Sequence, residues 1–156
     1  MKMQSSNRSA STQRGASLIE VMVSVLIMGV GLLGIAAMQA TALRNSQSSL
    51  ERSQAVIQSY TILEAMRANP AGVAAAQYNM VQTCNPPAAN GTLAGQDLRD
   101  WIASLEQSLG NTPNTCGTVA CVATNCVVTV QWDDSRGADG AGAGSTTYRI
   151  ATRTQL

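Results

Sequence analysis

The sequence predicts an α+β protein: one long N-terminal helix, apolar in its first half and amphipathic in its second, packed on a small antiparallel β-sheet head. Three observations lead there. Residues 21–38 carry Ser24 as their one polar side chain, a run long enough for a membrane-spanning helix. No proline interrupts the chain before Pro70, and apolar residues continue at helical spacing up to that point. Beyond residue 117 the pattern changes to the alternation of short strands, clearest in Val127-Val128-Thr129-Val130-Gln131-Trp132.

Whole-chain averages conceal this division. At 156 residues and 45% apolar content the composition is that of an ordinary soluble domain. With the apolar block set aside, the remainder is rich in Ser, Thr, Asn, Gln and Gly, so its core is modest and benefits from covalent support. Charge is uneven too. Lys2, Arg8 and Arg14 precede the apolar block with no acid among them, so of the net +1 the leader holds +3 and residues 16–156 hold −2. That balance gives no basic stripe to neutralise phosphates, and no nucleic-acid partner is expected. Histidine is absent and Lys2 is the sole lysine, which with no recognisable acid pair argues against an enzyme, a metal centre or a cofactor.

The apolar segment is taken as residues 16–38, the span of a bilayer at about 1.5 Å per residue. Cations precede it and only Arg44 comes closely after it. The positive-inside bias therefore keeps the N-terminus in the cytoplasm and exports the chain beyond the apolar segment. An ordinary secretory signal has a shorter apolar core and a small-residue cleavage site on its far side. Here the informative residues lie on the near side: Arg14-Gly15-Ala16-Ser17-Leu18-Ile19-Glu20. Glu20 stands out physically, because a carboxylate in a spanning helix costs about 3 kcal/mol unless it reaches the interface or finds a cation.

This stretch resembles the leader of type IV prepilins. The resemblance implies cleavage between Gly15 and Ala16 by a prepilin peptidase, and methylation of the new Ala16 amine. It also implies retention of the apolar helix, and pairing of Glu20 with the amine of a neighbouring subunit. Ala16 departs from the Phe or Met usual at that position.

Within the apolar run, Gly29-Val30-Gly31-Leu32-Leu33-Gly34 matches a dinucleotide-binding pattern letter for letter. The pattern has meaning only between a strand and a helix, which is not its setting here. In lipid, Gly29, Gly31 and Gly34 instead permit close helix approach and weaken the helix locally, a place to loosen as lipid is exchanged for protein.

The helix is expected to continue from residue 16 to residue 68, about 80 Å, and to stop at Arg67-Ala68-Asn69-Pro70-Ala71-Gly72. Its second half, residues 39–69, shows Leu43, Leu50 and Ile57 every seven, with Val56, Tyr60 and Leu63 at helical spacing. That stripe is expected to cover the sheet, with Arg44, Gln47, Ser48, Glu51, Arg52 and Gln58 in solvent. The head, residues 70–156, opens with a stretch to residue 96 read mostly as loop from Pro86-Pro87 and Asn90-Gly91. Asp97 is the expected N-cap of a short helix to Leu109, burying Leu98, Trp101, Ile102, Leu105 and Leu109. Strands are expected over 118–122, 126–132 and 146–154, the last two joined by a Gly-rich loop. Asp133, Asp134 and Asp139 in that loop lack EF-hand spacing and read as an acidic solvated turn.

Cys84, Cys116, Cys121 and Cys126 are even in number, all in the exported half, and lack C-x2-C spacing. They read as two disulfides and not as a zinc site. Three pairings exist; hairpin proximity favours Cys121–Cys126 with Cys84–Cys116.

Over residues 8–72 the layout is similar to type IV pilins. Gly31-Leu32-Leu33-Gly34-Ile35-Ala36-Ala37-Met38-Gln39 and Leu63-Glu64-Ala65-Met66-Arg67-Ala68-Asn69-Pro70 look like the type IV pilus modification (PilV) family of minor pilins. That resemblance implies a low-abundance subunit that primes fibre assembly. Its partners would be other minor and major pilins, the prepilin peptidase, the inner-membrane assembly platform, and lipid before assembly. A minor pseudopilin of type II secretion shares the same leader logic. A single-span periplasmic receptor or adhesin is the alternative of another class.

Overall fold

The computed structural model describes residues 15–137 and 144–156. The leader cations Lys2, Arg8 and Arg14, and Asp139, lie outside the described residues. The elements in order are α1 (Leu18–Ala68), α2 (Pro70–Ala74), β1 (Met80–Thr83), α3 (Leu93–Leu109), β2 (Cys116–Val122), β3 (Asn125–Trp132) and β4 (Tyr148–Gln155). The chain divides into two compact units, Met1–Gln39 and Ala40–Leu156.

In the first unit every described side chain is exposed. Leu26, Ile27, Met28, Leu32 and Leu33 are each more than half exposed, on all sides of the helix. By length and composition α1 is apolar enough to cross a membrane.

The second unit is an α+β head. Its sheet is antiparallel throughout, in the order β1-β2-β3-β4. Because side chains alternate across a strand, register decides the core. Val119 lies opposite Val128 and Val128 opposite Thr152; Gly117, Val130 and Ile150 form the next rank. Val119, Val128, Val130 and Trp132 are buried on that face, while Arg149, Ala151 and Arg153 of β4 point away and are exposed. Within the head portion of α1, the residues buried are Ser48, Ala55, Ser59, Ile62, Leu63 and Met66.

This departs from the expected helix faces, although Arg44 and Gln47 are exposed as expected. Leu43, Leu50 and Ile57 are 66%, 60% and 54% exposed, and Tyr60 is exposed as well. Only Leu63 of the proposed stripe is buried. The covered face mixes small and large residues: Ile62, Leu63 and Met66 are buried beside Ala55 and Ser59, and the Ser59 hydroxyl donates to Ala55 O at 2.9 Å, so it needs no water. Ser48, Glu51, Arg52 and Gln58, expected in solvent, are buried or half-buried.

Helix α3 also starts earlier than expected. Thr92, not Asp97, is the N-cap of α3: its hydroxyl accepts from Gly95 N at 3.0 Å. Asn90 holds Thr92 in turn, accepting from its N–H and hydroxyl at 3.1 and 2.8 Å. Asp97 accepts a hydrogen bond from the buried Tyr78 hydroxyl, well inside the helix. Residues 70–96 are likewise more ordered than a loop. Asn69 caps α2, accepting from Gly72 N at 3.2 Å, and β1 adds an irregular edge to the sheet. Leu98, Trp101, Ile102, Leu105 and Leu109 are buried, and the Trp101 indole N–H donates to Gln58 O at 2.9 Å.

Two disulfides frame the sheet. Cys84–Cys116 ties the chain after β1 to the start of β2, and Cys121–Cys126 links directly paired residues of the β2–β3 hairpin. Nor is the β3–β4 loop simply an acidic solvated turn. Asp134 is 1% exposed and accepts from Ser48 Oγ at 3.0 Å and Arg52 Nη2 at 3.3 Å. Its backbone receives Gly137 N and Gly144 N and donates to Ser145 O.

Gly117 marks the tightest approach of α3 to the sheet. A Cβ there would lie 2.6 Å from the Trp101 ring and 2.7 Å from Ile102. Gly117→Ala is expected to lower head stability by about 1–3 kcal/mol through overpacking. Denaturant unfolding of the detergent-solubilised chain, followed by tryptophan fluorescence, measures it; an unchanged midpoint contradicts this packing.

Candidate functional site

The start of α1 is the place where chemistry was expected, and its geometry is simple. Gly15, Ala16 and Ser17 are exposed and precede the helix. Among the described residues, nothing lies within 4 Å of the space a Gly15 side chain would take. The Gly15–Ala16 peptide bond therefore sits in open, non-helical chain, where proteolysis is least hindered.

Ser17 starts the helix. Its Oγ accepts from Glu20 N at 3.3 Å, and its carbonyl accepts from Glu20 N at 3.0 Å and Val21 N at 3.3 Å. That is N-cap geometry: one of the amides that a helix start leaves unpaired is satisfied by the side chain. Glu20 falls in the first turn, where a carboxylate is favoured by the helix dipole. Ser17-Leu18-Ile19-Glu20 has the S-x-x-E signature of a capping box. That signature could have located the cap from sequence, where Ser17 and Glu20 read only as parts of a processing signal. Farther along, the Ser24 hydroxyl donates to Glu20 O at 2.7 Å, which lets a polar side chain sit in the apolar run without seeking water.

The other candidates are dispersed. Gly29, Gly31 and Gly34 lie inside the unbroken α1, with open space around each. The four cysteines lie in the head unit. Asp133 and Asp134 do not converge on one point. Asp133 accepts from Ser135 N at 2.9 Å, and its hydrogen bonds to Ser135 hold its carboxyl below the usual range. Asp134 is turned inward to Ser48 and Arg52. Glu51, near Asp134 and Arg136, is pushed up by burial, with the Arg136 guanidinium opposing the shift.

Residues 10–36 match the family model of the prokaryotic N-terminal methylation motif. No curated protein and no solved structure matches the chain. The motif is a type IV prepilin-like leader, and it begins the long helix of an α+β protein. Together they support a pilin-like or pseudopilin-like chain, a class of structural subunits that are processed by a prepilin peptidase and assemble with one another.

Ser17→Ala is expected to fray the first turn of α1 by about 1 kcal/mol. Amide exchange at Glu20 and Val21 of the micelle-bound chain, whose N–H groups bond to Ser17, reads this as roughly fivefold faster opening. Unaltered exchange would show that Ser17 does not cap the helix.

Proposed function

We propose that this chain is a minor pilin of a type IV pilus, of the PilV kind, that helps to prime or decorate the fibre. The observation that carries the reading is the methylation motif at residues 10–36, and the exposed Gly15 and Ala16 and the position of Glu20 in the first helical turn support it. In this reading residues 1–15 are a leader and residues 16–38 form the membrane and assembly half of the helix. Residues 39–69 form its amphipathic half, and residues 70–156 complete a periplasmic head. The chain enters the inner membrane once, N-terminus in the cytoplasm, and then joins the fibre at the cell surface.

Each residue has a task derived from its chemistry. Cleavage after Gly15 creates a cationic amine at Ala16, which is then methylated. That amine sits at the positive end of its own helix, an unfavourable place for a cation, so a neighbour's carboxylate stabilises it. Glu20 supplies such a carboxylate, and in an apolar bundle each charge lowers the cost of burying the other. Pairing at one axial offset fixes the register of subunit on subunit. The glycines at 29, 31 and 34 let helix backbones approach closely as lipid is displaced. The disulfides suit an oxidising compartment outside the cytoplasm.

Mass spectrometry of sheared fibres is expected to yield a peptide beginning at methylated Ala16. Recovery of uncleaved chain alone, in membranes, would overturn the reading. Glu20→Ala is expected to be processed normally yet fall at least tenfold in the fibre fraction; incorporation at the unsubstituted level would remove the register role.

A further inference from the structure

Asn90 is the one asparagine in the chain followed by glycine, and its side chain is held by its carbonyl end. Its Oδ1 accepts two hydrogen bonds from a single residue, Thr92: from the backbone N–H at 3.1 Å and from the hydroxyl at 2.8 Å. The Thr92 hydroxyl in turn accepts from Gly95 N at 3.0 Å, in the first turn of α3. A donor that itself accepts a hydrogen bond is polarised, so the relay from Gly95 through Thr92 strengthens the pull on Asn90 Oδ1. Gly95 belongs to the same cradle, since a Cβ there would lie 1.8 Å from Asn90 Oδ1. Asn90 and Gly91 are exposed, and among the described residues no hydrogen bond holds Asn90 Nδ2.

We infer that Asn90 is a self-modification site, where the backbone nitrogen of Gly91 attacks the side-chain amide and Asn90 becomes an acid. Gly91 N bonds to Asn90 Cγ and gives up its proton. The Cγ–Nδ2 bond breaks, and Nδ2 takes a proton and leaves as ammonia. A five-membered imide remains. Water then adds across one of its two C–N bonds and returns a proton to Gly91 N. Addition at Cγ gives aspartate; addition at the main-chain carbonyl gives isoaspartate. The net change consumes one water and releases one ammonia, with no other reactant.

Reach is the first reason. Oδ1 bends forward to the N–H two residues on, which brings Cγ over the intervening Gly91 N. Charge is the second. As Gly91 N attacks, Oδ1 gains negative charge, and both Thr92 donors already point at it, as an oxyanion hole requires. Access is the third: Gly91 has no side chain to obstruct the attack, its φ of +75° suits glycine, and nothing lies within 4 Å of where a Cβ would be. Anchoring is the fourth. The Cys84–Cys116 bond and the Arg99 Nη1 bond to Pro87 O at 3.2 Å fix the chain before Asn90, so the fold supplies an orientation that a free chain must search for.

The aspartate product keeps acceptors for both Thr92 donors. It adds one negative charge to the −2 of residues 16–156, at a helix start where negative charge is favoured. Isoaspartate lengthens the main chain by a methylene and loses the turn. The head thus acquires with age a charge that its sequence does not encode.

This inference does not rest on the pilin reading, and the isolated chain tests it. The detergent-solubilised chain, disulfides intact, is held at neutral pH while peptide mass spectrometry follows acid at residue 90. Reduced chain in guanidinium chloride at the same pH gives the unassisted rate. Conversion of Asn90 is expected to be at least threefold faster in the folded chain, with exposed Asn111, followed by threonine, left intact. Equal or slower conversion in the folded chain overturns the inference, because the hydrogen bonds then only hold a turn. Thr92→Val removes one donor and is expected to slow the folded chain at least threefold, with little change when unfolded. Because Thr92 also caps α3, Gly95→Ala is the second variant. It displaces Asn90 Oδ1 while leaving the Thr92 hydroxyl in place, and is expected to bring the folded rate down to the unfolded one. An undiminished rate in Gly95→Ala contradicts the cradle.

Discussion

Apolar surface must be covered, and among the described residues of the first unit nothing covers it. Residues from Leu18 to Met38 form a helix exposed on every side. Burying one Leu, Ile or Met side chain contributes about 1.5–3 kcal/mol, so a helix made of them has to find lipid or other helices. The remaining features are arranged around that requirement. Ser17 caps the helix where it begins. Ser24 donates its hydroxyl to the backbone, and the few polar groups in the run are thus already partnered or at its end.

The head answers a different difficulty, that of making a folded unit with little apolar material. It closes α1 and α3 over one face of four strands, around Trp101, Trp132, Ile62, Leu63, Ile102 and Leu105. Two disulfides and one buried carboxylate supplement this core. Asp134 joins the β3–β4 loop to the helix through Ser48 and Arg52, while Arg52 also lies over the Tyr148 ring at 4.4 Å. Removing one partner of such a pair costs more than the pair contributes, because a buried charge is left alone. Tyr78 is a second polar anchor: burial and its hydrogen bond to Asp97 raise its pKa to about 12. Its phenol stays protonated in the fold where an unfolded tyrosine would ionise. The contribution to stability is thus complete below pH 10 and lost as pH rises through about 12.

Much of this architecture is legible in the sequence, and the failures have physical reasons. The break at Asn69-Pro70, the buried face of α3 and the strong period of β3 are local signals, and each stands where pattern places it. The faces of α1 read largely the wrong way round from sequence, with Arg44, Gln47 and Leu63 as expected, because hydrophobicity alone does not mark the side nearest the head. The side buried in the head holds Ser48, Ala55 and Ser59 as well as Ile62, Leu63 and Met66, and Leu43, Leu50 and Ile57 are left outside. Asp97 reads as a cap because a carboxylate before an apolar run is a good local signal; Thr92, five residues earlier and held by Asn90, offers the same chemistry. Asp134 looks solvated in sequence because its partners, Ser48 and Arg52, lie more than eighty positions back in the chain. The helix start is legible twice over, as a processing signal and, in its S-x-x-E spacing, as a capping box.

Under the proposed pilin reading, assembly depends on an apolar helix that exchanges lipid for protein. A photoactivatable lipid that inserts carbenes into adjacent side chains, combined with peptide mass mapping, observes that exchange directly. Chain from the membrane fraction should carry adducts throughout residues 18–38, and chain from sheared fibres should carry almost none there. Equal lipid labelling in both fractions would contradict it.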